Sequence, residues 1–148
     1  DEVVTFSAKA ANTGGTSARI KAGEKVTVRD LLFGLMLPSG NDAAQAFAEH
    51  FGDRLGAGEK DATAGFVGAM NREAAALKMY GTRYLDPHGL GMNRSTPRDL
   101  AALAVAALRN ETFRAIVNTR RHTCPVTAAD GTARTVVWDN TNRLLGIE

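Results

Sequence analysis

Leu35-Met36-Leu37-Pro38-Ser39-Gly40-Asn41-Asp42-Ala43-Ala44 is the stretch that decides how this chain is read. Before it, Leu31, Leu32, Leu35 and Met36 share one helical stripe, and Pro38 biases Leu37 away from helical angles, so a helix ends there. After it, Ala44, Phe47, Ala48 and Phe51 mark the inward face of a second helix running from Ala43 to Phe51. Ser39-Gly40-Asn41 therefore presents a hydroxyl and an amide at a helix start, with apolar residues on both sides. Two readings stay open from these residues alone. Either Ser39 caps the second helix with Asp42 as its capping-box partner, or the triplet lines a catalytic cleft.

Working outward, Thr27-Val28-Arg29-Asp30 has capping-box spacing and opens the first helix. Gly52 to Gly58 reads as a loop. Asp61 is placed to cap a third helix with Phe66, Val67, Met70, Ala74 and Leu77 on its face. Gly65 and Gly68 weaken that helix locally and allow a neighbour to approach closely. Tyr80 to Gly91 is irregular, with Asp86-Pro87-His88-Gly89 as a turn. In Ser95-Thr96-Pro97-Arg98-Asp99, Thr96 caps, Pro97 takes the first helical position and Asp99 completes the box. The helix that follows, Leu100 to Leu108, is apolar almost all round and is expected to be buried. A short helix through Phe113, Ile116 and Val117 comes next.

Val3 to Phe6 is a short strand, residues 12–19 are loop, and Lys21 to Glu24 is a turn. Thr123 to Thr127 and Thr135 to Trp138 form a hairpin across Ala129-Asp130-Gly131, and Asn140-Thr141-Asn142-Arg143 is polar loop. The expectation is a mainly α chain, about five helices with short strands or a hairpin near the ends, forming a single domain over residues 1–148.

Composition narrows the function classes. The 148 residues carry a net charge of +2, with 44% apolar and 23% charged residues, ordinary values for a globular protein. The densest basic group, Arg120-Arg121-His122, is short, lacks interleaved aromatics and reads as a solvated face, so no nucleic-acid partner is expected. No apolar run approaches the ~18 residues of a membrane span. The chain opens Asp1-Glu2-Val3 with no signal peptide, as an internal segment would. Cys124 is the only cysteine, so no intrachain disulfide forms, and His122-Thr123-Cys124 lacks the second pair of ligands that a metal site needs. Neither a metal nor an organic cofactor is expected.

Taken together, Asp30-Leu31-Leu32 and Leu37 to Ala44, Met70-Asn71-Arg72-Glu73-Ala74, Asp86-Pro87-His88-Gly89-Leu90, Ser95 to Ala101 and Asn140 to Leu145 resemble, in order, segments of the serine-type D-alanyl-D-alanine carboxypeptidases, the low-molecular-mass penicillin-binding proteins. The likeness covers nearly the whole chain. The family's catalytic set is Ser-x-x-Lys, then Ser-x-Asn, then Lys-Thr-Gly, and only the middle motif stands here. The resemblance implies that this chain is the segment between the other two, mostly the helical domain of the α+β penicillin-binding and β-lactamase-like transpeptidase fold. Serine β-lactamases share the motif order, but their middle motif commonly has Asp where Gly40 stands, and no Glu-x-x-Leu-Asn pattern occurs between Asn41 and Arg143.

For a complete enzyme the resemblance implies trimming of terminal D-Ala from peptidoglycan stem peptides ending in D-Ala-D-Ala, through an acyl-serine intermediate, with β-lactams as inhibitors and an extracytoplasmic location. It implies catalytic roles for Ser39 and Asn41. Ser39 relays a proton toward the leaving amine and the base lysine, and Asn41 donates to a peptide carbonyl or orients the lysine. Gly40 leaves room between them and is assigned with Asn142 to substrate binding, while Asn140, Asn142 and Arg143 line the cleft or hold a loop. His88 is read as shaping its turn and Asn71 as a buried amide bonding to backbone. Without nucleophile and base the isolated chain is expected to be inactive. A non-catalytic helical module that binds peptidoglycan or a protein is the alternative.

Overall fold

The structure, a computed structural model, describes residues 2–56, 58 and 61–145. Among these the chain runs β1 (Val3–Thr5), α1 (Ala8–Ala11), β2 (Lys25–Thr27), α2 (Val28–Met36), α3 (Asn41–Leu55), α4 (Ala62–Ala76), α5 (Pro97–Leu108), α6 (Glu111–Val117), β3 (Arg121–Thr127) and β4 (Ala133–Asp139). The four strands form one antiparallel sheet in the order β1-β2-β3-β4. The chain divides into two compact units, residues 1–46 with 115–148, and residues 47–114.

The first unit is built on the sheet. Alternation along the strands puts Val4, Val26, Cys124, Val126, Val136 and Trp138 on one buried face. Pro125 and Thr127 lie on the edge of β3 that faces β2. Pro125 has no N–H to give, and β2 pairs with β3 only at Lys25 and Thr127. Helix α2 lies against this face at Gly34, where a Cβ would stand 3.0 Å from the Trp138 ring. Thr27 caps α2 as its spacing predicts, accepting from the Asp30 N–H at 3.0 Å. Asp30 does not return to the cap backbone. Its carboxylate takes the Thr27 hydroxyl (2.7 Å) and sits 2.7 Å from His122 Nε2. His122 also stacks on Phe33, with ring centroids 3.9 Å apart, so it is not part of a solvated basic face. Arg121, one residue away on the other side of β3, is exposed and pairs with Asp139.

The second unit packs helices through small residues. A Cβ on Gly52 would overlap the backbone of Ala62, and one on Gly65 would lie 2.5 Å from the Gly52 carbonyl oxygen and 3.1 Å from the Gly56 Cα. The expected close approach at Gly65 is present, and its partner is the segment that reads as loop in the sequence. Helix α3 continues through Gly52 to Leu55 because that packing offsets the glycine penalty of about 1 kcal/mol; residue 57 of the expected loop lies outside the described residues. Asp61 caps α4, accepting from the Ala64 N–H at 2.9 Å, and Thr96 caps α5 behind Pro97. Helix α5 is not buried all round. Asp99, Ala102, Leu103 and Ala106 face inward, while Leu100, Val105 and Leu108 are half exposed. An alanine-rich surface needs only one stripe to pack on a neighbour, and the other leucines face outward.

Candidate active site

The Ser39 turn is made by the end of α2 and held by a strap, residues 14–19, that crosses the first unit. Ser39 has φ 58°, a left-handed conformation disfavoured for any residue with a Cβ. That reversal carries the Gly40 N–H back to the carbonyls of Gly34 and Leu35, both at 3.2 Å, closing the C-terminus of α2. Gly40 is buried. A Cβ there would lie 2.6 Å from the Gly34 carbonyl oxygen and 3.1 Å from the Ala18 nitrogen, so only glycine lets the strap, the turn and α2 meet. Its carbonyl accepts the first bond of α3, from the Ala44 N–H at 3.1 Å. Gly40, rather than Ser39, thus occupies the capping position of α3.

The strap grips the turn from both ends. The Thr16 hydroxyl donates to the Ser39 carbonyl, the Asn41 N–H donates to the Thr16 carbonyl at 2.8 Å, and Asn41 Nδ2 donates to the Gly14 carbonyl at 3.0 Å. Asp42, fully buried, pulls the other half of the strap onto α3. Its carboxylate accepts from the Ala18 N–H (2.7 Å), the Ser17 hydroxyl (2.7 Å), the Arg19 N–H (3.2 Å) and the Ala43 N–H (2.8 Å). Arg19, like Ser39, is left-handed, with φ 62°. The strap is fixed to the sheet by Trp138 Nε1, which donates to the Ala18 carbonyl at 2.8 Å, and by Arg19 Nη2, which donates to the Val137 carbonyl. Two strained residues held by this many hydrogen bonds mark a turn whose shape the surroundings over-determine, as at functional sites.

Ser39 is exposed, and among the described residues its hydroxyl has no hydrogen-bond partner. Asn41 is 8% exposed, with its amide nitrogen tied to Gly14 and its Oδ1 without a partner among the described residues. The site therefore offers a hydroxyl able to donate and accept and an amide oxygen able to accept. An amide oxygen so placed suits an incoming ammonium better than a peptide carbonyl.

Asn142 lies on the next turn. Asn140 anchors that turn, donating Nδ2 to the carbonyls of Val117 (3.0 Å) and Thr119 (2.9 Å), while its Oδ1 accepts the Asn142 N–H at 2.9 Å. Asn142 Oδ1 accepts the Leu144 N–H at 3.1 Å, so its oxygen holds the turn, and its side-chain NH₂ has no partner among the described residues. The Thr141 N–H donates to the Leu37 carbonyl at 3.1 Å, tying this turn to the end of α2 beside Ser39. The structure thus joins the segments of Ser39, Gly40, Asn41 and Asn142 within one unit.

His88 and Asn71 sit in the second unit and shape backbone. His88 Nδ1 stands 3.1 Å from Asp86 Oδ1, and Asp86 accepts the N–H groups of His88, Gly89 and Gly91. Burial raises the Asp86 carboxyl, but those loop donors outweigh it and hold it below its ordinary range. Asn71 bonds the carbonyls of Val67 and Tyr84 and accepts the Tyr84 N–H, the backbone bonding read from the sequence, but it is half-buried rather than buried. Thr16, Asp42 and Trp138 are the residues that sequence reasoning missed. Asp42 carries a signal, an acid at a helix start, but three of its four donors lie 23 to 25 residues upstream.

The fold is that of penicillin-binding DD-transpeptidases. The crystal structure of the Streptomyces K15 DD-transpeptidase superposes with a TM-score of 0.87 at 39% identity, covering 99% of this chain and 58% of that one. A penicillin-binding protein homolog from Mycobacterium tuberculosis gives a TM-score of 0.79 at 30% identity, over 98% of this chain and 51% of the other. In sequence, a D-alanyl-D-alanine carboxypeptidase of Streptomyces sp. strain K15 is 43% identical over 133 residues, 88% of this chain and 45% of that protein. A D-alanyl-D-alanine endopeptidase of Pseudomonas aeruginosa is 38% identical over 109 residues, 72% of this chain and 33% of the relative. Residues 1–148 match the D-alanyl-D-alanine carboxypeptidase family, peptidase S11, and the chain belongs to it. It spans less than half the length of these two curated relatives.

Proposed function

We propose that this chain supplies the Ser-x-Asn wall of a serine-type D-Ala-D-Ala carboxypeptidase that trims peptidoglycan stem peptides outside the cytoplasm. The observation that carries this reading is the Ser39 turn. A non-glycine residue is forced left-handed, its hydroxyl and the Asn41 oxygen two residues on are without partners among the described residues, and both belong to a chain of the carboxypeptidase family. In the complete reaction a serine of Ser-x-x-Lys attacks the penultimate D-Ala carbonyl. Terminal D-Ala then leaves as its amine is protonated, and water hydrolyses the acyl-serine. Ser39 passes a proton between the lysine and the leaving amine, a task for a group that donates and accepts at once. Asn41 Oδ1 orients the lysine ammonium, with its own amide nitrogen fixed on Gly14. Gly40 supplies the space that lets the turn close, and the free NH₂ of Asn142 is offered toward the substrate.

The 148 residues contain neither Ser-x-x-Lys nor Lys-Thr-Gly, so the chain by itself forms no acyl-enzyme. Incubation with a fluorescent penicillin followed by denaturing electrophoresis tests this. No covalent label is expected, and a labelled serine mapped within residues 1–148 would overturn it. Among the described residues no helix is long and apolar enough to cross a membrane.

A further inference from the structure

Arg83 and Arg94 face each other across an isolated antiparallel bridge in the second unit, each N–H donating to the other's carbonyl, at 2.8 and 3.0 Å. Residues directly opposite on such a bridge project their side chains to the same face, and like charges so placed repel. Among the described residues neither guanidinium has an acidic partner. Asp99, the nearby acid, is buried and spends one oxygen on the Gly81 N–H (2.9 Å) and the Thr82 hydroxyl (2.8 Å). The two arginines line an open pocket of about 680 Å³, with Ala75 and Met79 as apolar lining and Tyr80, 84% exposed, on the surface beside them.

Most other donors around this pocket are committed. The Thr82 N–H goes to the Met79 carbonyl, the Gly81 N–H to Asp99, the N–H groups of Arg83 and Arg94 to each other, and the Asn71 side chain to Val67 and Tyr84. Two unpaired guanidinium forks, the Tyr80 hydroxyl and the Tyr80 N–H remain to meet a ligand. A phosphate cradle draws on several convergent backbone N–H groups or a helix N-terminus, and here only the Tyr80 N–H is left unpaired among the described lining residues. A planar carboxylate needs only the fork of an arginine, and the apolar lining beside Tyr80 suits the methylene and methyl groups of a peptide.

We propose that the Arg83–Arg94 pocket binds an acidic peptide segment by its side-chain carboxylate, independently of the Ser39 site. The test titrates the whole chain with acetyl-Ala-Glu-Ala-amide, with the Gln counterpart and with inorganic phosphate, following the arginine Nε–H signals by NMR at low ionic strength. Saturable binding of the Glu peptide is expected, with both arginine signals shifting and affinity at least about tenfold above that for the Gln peptide or phosphate. The variants Arg83→Gln and Arg94→Gln keep the backbone bridge, so each should retain its Tm while weakening the Glu peptide about tenfold. Equal binding of Glu and Gln peptides, stronger binding of phosphate, no saturation, or unchanged affinity in folded Arg83→Gln and Arg94→Gln would each overturn the proposal.

Discussion

Replacing Asp42 by alanine should loosen the strap that shapes the Ser39 turn before it unfolds the sheet. The carboxylate takes four donors, and two of them, the N–H groups of Ala18 and Ala43, are in buried bonds. The Ser17 hydroxyl and the Arg19 N–H lie nearer the surface, where water replaces the lost acceptor. A buried donor left unsatisfied costs about 1–3 kcal/mol, and an acid in the first turn of a helix adds about 0.3–1 kcal/mol. The expected loss for Asp42→Ala is therefore about 3–5 kcal/mol, a large part of the 5–15 kcal/mol typical of a folded domain. At about 2–4 °C per kcal/mol, the Tm should fall by roughly 10 °C. Urea unfolding gives the free energy, and amide hydrogen exchange gives its location. Exchange at the Ala18 and Asn41 N–H groups should accelerate more than at the β3–β4 amides. Asp42→Asn keeps one acceptor oxygen and should lose about half as much. A loss under about 1 kcal/mol at unchanged m-value, with the Asn41 amide as protected as before, would refute the idea that Asp42 holds the strap.

Ser39→Gly relieves a left-handed residue, so it should stabilise the chain by about 0.5–1 kcal/mol in urea unfolding; destabilisation would mean that the turn is not strained. The Arg134 guanidinium, hydrogen-bonded to Glu24 at 2.6 Å through both oxygens, holds that carboxyl below its ordinary value of 4.5. Stability from this pair is complete above the ordinary value and is lost as pH falls through the lowered one, so unfolding free energy should drop on the acid side. Arg134→Gln should remove about 2 kcal/mol at neutral pH and flatten that acid-side slope. Burial, aided by the Asp30 charge, pushes the Cys124 thiol up to about 12. A disulfide reagent at pH 8 should therefore react about a thousandfold more slowly with native chain than with chain in denaturant, and equal rates would contradict its burial.

The local chemistry of the chain is readable from its residues. Thr27, Asp61 and Thr96 cap helices where their spacing says they should, Pro38 ends α2, and Ala129-Asp130-Gly131 turns a hairpin. The failures share one cause, the dependence of local structure on distant partners. Gly52 stays helical only because Ala62 packs on it. The short strand Lys25–Thr27 goes unread between the Lys21–Glu24 turn and the Thr27 cap because its pairing with Val3–Thr5 has no local signature. Residues 14–19 read as plain loop, yet they hold the Ser39 turn through Asp42, Thr16 and Trp138, contacts spanning 23 to 120 residues. The Ser-x-Asn triplet is legible by resemblance. Its strain, its free hydroxyl and the division of labour between the two atoms of the Asn41 amide are visible only in three dimensions.

The central claim is that the Ser39 turn is built to serve acyl transfer. Its most direct test is the rate of acylation by a fluorescent penicillin of a complete polypeptide containing this segment together with Ser-x-x-Lys and Lys-Thr-Gly, comparing wild type with Ser39→Ala. Loss of a positioned proton relay predicts acylation slower by about 10²–10⁴-fold with the Tm unchanged. An unaltered acylation rate in the folded Ser39→Ala variant would contradict the account.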